Sequence, residues 1–327
     1  MAVGDSLGAW EESIRRGDRR AMARAISAME NGDAAGVELL KRLFAASEGS
    51  QLIGVTGSPG SGKSTLVERL ALEYRRGGKR VGIIAVDPTS PFSGGAILGD
   101  RVRMQNLATD DGVYIRSMAT RGHLGGLAPA AHDVVTVLEA GGCEVVLVET
   151  VGVGQDEVEV ARLADVTVLL LAPGMGDDIQ TFKAGVMEIA DIFAINKADY
   201  PGVGRVEQEV TAMLNITPRA NAWRPPVVKT VATAGEGIPE LRQALDEFQA
   251  FGERTGLKRT RERGKWRARL LAMLRQTLFE RAVEERLRPG EIDRYVEDVM
   301  GRRRDPHSVV EELVAESMAA GRERARL

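Results

Sequence analysis

The sequence predicts an α/β protein with a mainly parallel sheet and helices on both faces of that sheet. The middle of the chain alternates continuous runs of Val, Ile and Leu with helix-length segments, a pattern typical of parallel strands buried on both faces. The 327 residues are 43% hydrophobic and 28% charged, enough for one large domain with additions or for two domains. We predict strands at residues 52–56, 81–86, 113–116, 145–149, 166–172, 192–196 and 227–231.

The N-terminal part of the chain has a helical pattern. In residues 1–48, apolar side chains recur at helical spacing, and Gly17 and Gly32 interrupt the recurrence. This predicts a segment of short amphipathic helices before the first strand.

From about residue 256 onward, the sequence contains no further strand patterns. This C-terminal part instead carries an apolar stripe at i, i+4 spacing. The stripe consists of Trp266, Leu270, Leu274 and Leu278. Two further helices are predicted, after Pro289 and after Asp305. Either a second copy of the chain or packing back on the core would bury the stripe, and we expect a homodimer. We therefore divide the chain into an N-terminal helical segment 1–48, a central domain 49–255 and a C-terminal helical dimerisation arm 256–327.

Composition excludes several classes of protein. The formal net charge of −3 argues against a non-specific nucleic-acid binder, so we expect no nucleic-acid partner. A single cysteine, Cys143, excludes an intramolecular disulfide framework, and the three histidines are too far apart for a metal-ligand motif. The first twenty residues lack the apolar core of a signal peptide, and no apolar run reaches the length of a membrane span. We expect a soluble, cytoplasmic protein without a membrane partner.

A glycine-rich motif of the form G-x-x-x-x-G-K-[ST] runs from residue 57 to residue 65, between an apolar run and a helical pattern. Glycines let successive backbone N–H groups converge on phosphates, and the following helix N-terminus favours negative charge. Lys63 neutralises phosphate charge and acts in catalysis, and Ser64 is a ligand for Mg²⁺. The sequence therefore predicts a P-loop nucleoside triphosphate site. Its phosphate-binding residues are Gly57, Ser58, Gly60, Ser61, Gly62, Lys63, Ser64 and Thr65.

A second motif, N-K-A-D, follows the apolar run that ends at residue 195. In this context N-K-x-D is the guanine-reading motif of GTPases, because a carboxylate can accept from both N1–H and the N2 amine of guanine. Adenine offers no such pair of donors, so we expect GTP and GDP as substrate and product. A later loop is expected to donate a backbone N–H to guanine O6, with Val231 at the position where GTPases often carry Ser. The predicted base-binding residues are Asn196, Lys197, Asp199, Val231, Ala232 and Thr233.

Three acidic residues lie at or near predicted strand ends and are candidate Mg²⁺ ligands beside Ser64. Asp87 and Glu149 end strands, and Asp100 lies in the segment after Asp87. Asp100 could instead orient the attacking water. Gly152 can offer its N–H to the γ-phosphate and move when that phosphate leaves, which is the basis of a nucleotide switch. Each of the acids could also be a helix cap.

These segments together resemble the MeaB/ArgK family of GTPases over nearly the whole chain. The resemblance lies in the stretches GSPGSGKST, AVDPTSPFSGGAILGDRVRM, ETVGVGQDEVEV, APGMGDDIQTFKAGVMEIADIFAINKAD and GEGI. It implies slow GTP hydrolysis, a homodimer held by the C-terminal extension, and binding to an adenosylcobalamin-dependent acyl-CoA mutase, chiefly methylmalonyl-CoA mutase. The nucleotide state would control cofactor loading, protection or reactivation of that mutase. The segment 174–183 matches the family's additional switch loop, in which Asp177, Gln180 and Lys183 are candidates for coupling to the partner.

Two other functions remain open from the residues. A P-loop kinase would pass the γ-phosphate to a small molecule or protein, but it would gain nothing from N-K-A-D. A scaffold without activity would use the nucleotide only to order its fold. The chain has no D-x-H-x-x-G motif for base-off cobalamin, so we expect the partner to hold any corrinoid. It also lacks the His-rich or Cys-rich tracts of related nickel-inserting GTPases.

Overall fold

The structure is a computed structural model that describes residues 3–45, 47, 49–88, 104, 107, 109–120, 128–150, 155–174, 188–216, 222–283 and 290–324. No helix among these residues is both long enough and apolar enough to cross a membrane.

The described residues form a seven-stranded sheet in which all neighbouring strands pair in parallel. The strands are β1 (Gln51–Gly57), β2 (Val81–Pro88), β3 (Val113–Thr120), β4 (Val145–Thr150), β5 (Val166–Leu171), β6 (Ile192–Ile195) and β7 (Val227–Lys229). Their order across the sheet is β3-β2-β4-β1-β5-β6-β7, with β1 in the middle. The predicted α/β class with a parallel sheet is confirmed.

Helices connect and flank the strands. They are α1 (Val3–Arg15), α2 (Arg19–Glu30), α3 (Ala34–Phe44), α4 (Lys63–Arg76), α5 (Ala128–Ala140), α6 (Gln155–Leu163), α7 (Val203–Ile216), α8 (Ile238–Thr255), α9 (Leu257–Val283), α10 (Glu291–Met300) and α11 (Pro306–Arg324). The N-terminal helices end where the sequence analysis places breaks, because Gly17 and Gly32 have φ values of 78° and 72° in the left-handed region.

Alternate residues of the central strands enter two separate cores, as the pleat of a sheet requires. Val145 and Leu147 of β4 pack in one core with α4 and α8, whereas Val146 and Val148 pack in the other. The second core includes the apolar faces of α2 and α3, so the N-terminal helices cover the sheet together with α5 and α6. Each fully buried Leu or Ile side chain in these cores contributes about 1.5–3 kcal/mol.

The last strand is shorter than predicted. Its regular pairing with β6 ends at Lys229, and Val231 instead forms an isolated antiparallel bridge with Glu236. The N–H of Thr230 still donates to the Ile195 carbonyl at 2.9 Å before the chain turns. The turn converts the predicted strand end into a closed loop beside the end of β6.

The chain divides into two compact units, Met1–Lys265 and Trp266–Leu327. In the first unit, the start of α9 is attached to the amino end of the sheet by ion pairs. The Arg261 guanidinium donates two hydrogen bonds of 2.8 Å to the Asp191 carboxylate, which also accepts the N–H of Thr167 at 3.0 Å. Lys265 donates to Asp165 at 2.5 Å. The Asp191 side chain is only 3% exposed, so these partners take the place of water as its hydrogen-bond donors.

We predict that Arg261→Ala lowers the free energy of unfolding by about 3 kcal/mol, because the buried Asp191 carboxylate loses its bidentate partner. Urea unfolding followed by circular dichroism measures the change. The matched control is Arg205→Ala, which removes an exposed ion pair with Glu209 and should leave the free energy of unfolding nearly unchanged. Equal effects of the two substitutions would contradict a structural role for the Arg261 pair.

Candidate functional site

The glycine-rich segment joins the carboxyl end of β1 to the amino end of α4, at the sheet edge where parallel folds place their ligands. Gly60 and Gly62 have φ values of 78° and 98°, which other residues rarely adopt. A Cβ at Gly57 would lie 2.2 Å from the Leu170 carbonyl oxygen, and one at Gly62 would lie 2.4 Å from Nδ2 of Asn196. The segment therefore requires glycine for its backbone conformation and for its close packing.

Lys63 is the first residue of α4 and is only 6% exposed. Its ammonium group donates to the carbonyls of Gly57 at 2.6 Å and Ser58 at 3.0 Å, which holds it against the loop. The hydroxyl of Ser61 is buried and has no hydrogen-bond partner among the described residues. A buried cation and an unused hydroxyl next to a helix N-terminus are suited to an anion with several oxygens.

The Ser64 hydroxyl donates to Oε1 of Glu149 at 2.5 Å, which brings two of the predicted metal ligands together. Glu149 lies near the end of β4 and is only 4% exposed. Asp87 lies near the end of β2, the strand next to β4, but its side chain is outside the described part of the chain. Asp100 is outside it altogether, and the described residues contain no cluster of three acidic, His or Cys side chains arranged for a metal.

The side chain of Asn196 connects the glycine-rich segment to the loop after β7. Its Nδ2 donates to the Ser61 carbonyl at 2.8 Å. Its Oδ1 accepts the Ala232 N–H at 3.0 Å and the Thr230 hydroxyl at 3.2 Å. Asn196 is 3% exposed, so each of these groups would lose a buried partner if the carboxamide were removed.

A cavity of about 180 Å³ lies beside this connection. It is lined by Gly62, Thr65, Asn196, Lys197, Asp199, Tyr200, Val231, Ala232 and Thr233. Lys197 has a left-handed φ of 56°, and its ammonium donates to the Gly60 carbonyl at 2.9 Å. Asp199 is exposed on the cavity wall, where its carboxylate is accessible to a ligand. The cavity thus contains all six residues that the sequence analysis assigns to the base.

One residue of the loop after β7 lines this cavity and has a backbone N–H without an acceptor among the described residues. The N–H groups of Val231, Ala232, Ala234 and Gly235 all donate within the protein. The Thr233 N–H has no acceptor among the described residues, and Thr233 lines the cavity. Of the three residues expected to supply a backbone N–H to a base oxygen, Thr233 is therefore the candidate, because the Ala232 N–H already donates to Asn196 and the Val231 N–H to Glu236.

Comparison with known proteins shows the family to which the chain belongs. Residues 22–286 match the model of the family described as methylmalonyl Co-A mutase-associated GTPase MeaB. The chain belongs to the MeaB/ArgK family of GTPases. It is 40% identical to the GTPase ArgK of Escherichia coli over 249 residues, 73% of this chain and 75% of that protein. It is 37% identical to the mouse protein "Methylmalonic aciduria type A homolog, mitochondrial" over 76% of this chain and 65% of that protein.

A protein of Pyrococcus abyssi that carries a GTPase name matches this MeaB-family chain almost from end to end. The two are 45% identical over 313 residues, 95% of this chain and 96% of that protein. A solved structure of a LAO/AO transport system kinase superposes with a TM-score of 0.73 at 27% identity, covering 96% of this chain and 98% of that one. The P-loop fold with N-terminal and C-terminal helices is thus shared across the length of the chain.

Several predicted site residues of this GTPase lie outside the described part of the chain. They are Asp100, Gly152, Asp177, Gln180 and Lys183, together with the side chain of Asp87. Two residues that the sequence analysis did not single out belong to the site. Tyr200 directly follows N-K-A-D and lines the cavity, and Thr230 bonds to Asn196. The position of Tyr200 next to the motif was a usable signal, whereas nothing in the sequence around Thr230 indicated its contact.

A larger cavity of about 510 Å³ lies at the opposite edge of the sheet and is lined by Gln51, Val145 and Val166 among others. Its charged side chains balance, and several pair with each other, as Lys79 does with Glu144 at 2.5 Å. It contains no glycine-rich amide segment for phosphate. The residues predicted to bind the base line the smaller cavity instead. Cys143 has no thiolate role at neutral pH, since burial raises the pKa of its thiol to about 11.

We predict that Gly62→Ala weakens GDP binding at least about tenfold, because a methyl group there is strained by the φ of 98° and collides with the Asn196 carboxamide. Calorimetric titration with GDP measures the affinity. The control is Gly264→Ala in α9, where an added Cβ meets nothing within 4 Å and should leave binding unchanged. Unaltered GDP affinity in Gly62→Ala would show that this glycine is not required at the site.

Proposed function

We propose that this GTPase holds GTP with its phosphates in the glycine-rich loop and its guanine in the 180 Å³ cavity, and hydrolyses it to GDP and phosphate. The observation that carries the proposal is the Asn196 carboxamide, which bonds to both the phosphate loop and the loop after β7. Because one side chain fixes both loops, the two binding regions form one continuous site. A nucleotide is the ligand that has a polyphosphate at one end and a hydrogen-bonding base at the other.

In this proposal, Asp199 accepts from N1–H and the N2 amine of guanine, and the Thr233 N–H donates to O6. Tyr200 offers an aromatic side chain to the base beside Lys197. Adenine would leave the Asp199 carboxylate without donors and would place an amine against the Thr233 N–H. Two mismatched polar contacts disfavour ATP by several kcal/mol.

The residues at the phosphate end fit a Mg²⁺ ion, since Ser64 and Glu149 supply a hydroxyl and a carboxylate oxygen within 2.5 Å of each other. Bound there with Asp87, the ion would neutralise charge on the phosphate oxygens. Lys63 stabilises the negative charge that develops on the transferred phosphate, and the Ser61 hydroxyl donates to a phosphate oxygen. Asp100 orients the attacking water, and Gly152 contacts the γ-phosphate with its N–H.

We predict that Asp199→Asn shifts the base preference of hydrolysis from GTP toward XTP by about tenfold or more, because the amide can donate to the C2 oxygen of xanthine. Phosphate release with GTP, XTP and ATP measures the change. Lys63→Ala is the control, since it should abolish turnover of all three nucleotides. Phosphorylation of an added acceptor with a preference for ATP would instead support a kinase. If Asp199→Asn hydrolyses GTP as fast as the wild-type protein does, Asp199 does not recognise the base.

We further propose that the partner is an adenosylcobalamin-dependent acyl-CoA mutase, of which methylmalonyl-CoA mutase is the leading case. The family description and the name of the mouse relative both point to methylmalonyl metabolism. Nucleotide state would gate loading, protection or reactivation of the mutase through Asp177, Gln180 and Lys183. The partner would hold the corrinoid, and the two proteins would meet in the cytoplasm.

The C-terminal arm supports a homodimer as part of this proposal. The side chains of the predicted stripe are exposed in the described structure, from 40% for Trp266 to 62% for Leu270. Met273 and Phe279 of the same helix are also about half exposed. Apolar surface of this extent on one helix is covered in solution by another protein surface, and a second copy offers the same apolar stripe in return.

We predict that sedimentation velocity of the chain alone gives twice the 35.3 kDa mass of one chain, and that Leu274→Glu gives a monomer. Arg275→Glu, one residue away on the helix, is the control and should stay dimeric. With holo-mutase added, the fraction that co-sediments should differ between GDP and a non-hydrolysable GTP analogue. A monomeric wild-type chain would contradict the dimer, and no mutase complex in either nucleotide would contradict the partner.

A further inference from the structure

The base loop (residues 231–236) is held to the helix that begins with Lys63. Arg69 lies on this helix, α4, six residues after Lys63, and its Nη2 donates to the carbonyl oxygen of Thr233 at 2.7 Å. This is the one hydrogen bond of the Arg69 guanidinium within the described structure. A charge-assisted bond of this length is among the stronger contacts available to a surface loop.

The remaining contacts of the base loop fix its other sides. The Val231 N–H donates to the Glu236 carbonyl at 3.0 Å, and the N–H groups of Ala234 and Gly235 donate to the Val231 carbonyl, each at 2.9 Å. Asn196 accepts the Ala232 N–H at 3.0 Å. These bonds determine the two ends of the loop. The Ala234 N–H belongs to the same peptide group as the Thr233 carbonyl, and the Ala232 carbonyl accepts a longer bond of 3.3 Å from the Gly235 N–H. Arg69 is the one side chain that bonds to the Thr233 carbonyl among the described residues.

The geometry points to Arg69 as a positioning residue for recognition of guanine O6, and this inference rests on the proposed guanine site. By bonding to the Thr233 carbonyl, Arg69 adds a second anchor to a peptide group that the Ala234 N–H already ties to Val231. This further restricts rotation of the backbone at Thr233 and so orients the Thr233 N–H toward the cavity that this residue lines. Because Arg69 and Lys63 share one helix, the base loop and the phosphate loop keep a constant separation. Arg69 itself does not touch the nucleotide in this account.

A role in O6 recognition differs measurably from a general effect on charge or stability. If Arg69 acts through O6, its removal should weaken only nucleotides that carry a good acceptor at position 6 of the base. If it acts by charge or by stabilising the fold, all nucleotides should weaken alike. The comparison of GDP with 6-thio-GDP separates these cases, because sulfur is a poor acceptor while both donors to Asp199 are retained. IDP keeps O6 and lacks the N2 amine.

The experiment measures dissociation constants of GDP, 6-thio-GDP and IDP for wild-type protein and for Arg69→Ala, by displacement of a fluorescent GDP analogue. We expect Arg69→Ala to weaken GDP and IDP about five- to tenfold and to change 6-thio-GDP less than about twofold. Arg69→Lys keeps one donor and should restore part of the lost GDP affinity. Arg76→Ala removes an exposed arginine of the same helix, ion-paired with Glu73, and should change none of the three.

Two outcomes would overturn the inference. Equal weakening of all three nucleotides by Arg69→Ala would assign Arg69 to charge or stability, and unchanged GDP affinity would leave it without a role. Failure of the proposed function looks different, because the wild-type protein would then bind ADP as tightly as GDP. Thermal melting of each variant without nucleotide checks that its fold is intact.

Discussion

The Asn196 carboxamide is the interaction on which the arrangement of the site depends. It is buried at the end of β6, and its two polar ends bond to Ser61 in the phosphate loop and to Thr230 and Ala232 in the last loop. No water can replace these bonds at 3% exposure without opening the packing. Residue 62 has to be glycine, because a side chain there would collide with the Asn196 carboxamide. The two halves of the site are therefore joined by one planar group whose donor and acceptor are both used.

The sheet explains why these distant segments meet. Parallel strands direct all their carboxyl ends to one edge, and β1, β4 and β6 deliver the phosphate loop, Glu149 and Asn196 to it. At the opposite edge, Asp165 and Asp191 form ion pairs with Lys265 and Arg261. The polar groups at one edge of the sheet are thus available to a ligand, whereas the carboxylates at the other edge are paired with basic side chains. The two cores pack on opposite faces of the sheet and hold its strands, and therefore both edges, in fixed positions.

Local patterns were sufficient to predict the elements, but not the contacts between them. The glycine-rich motif, the buried strands and the N-terminal helix breaks follow from spacing of a few residues, and each was found from sequence. The contact of Ser64 with Glu149 spans 85 residues, and that of Asn196 with Ser61 spans 135, so only tertiary packing brings them together. The closing of the last strand into a loop at Val231 was missed because its Val-rich pattern favours continued strand. Which residue activates water remains a prediction, since Asp100 is outside the described residues.

We infer that this MeaB-family chain has one continuous site, joined by Asn196, that accepts a guanine nucleotide. Isothermal titration of the purified protein with GDP and with ADP, in the presence of Mg²⁺, tests it most directly. We expect saturable binding of one GDP per chain, with ADP weaker by at least about two orders of magnitude. Absence of heat with GDP, or equal affinities for the two nucleotides, would contradict it.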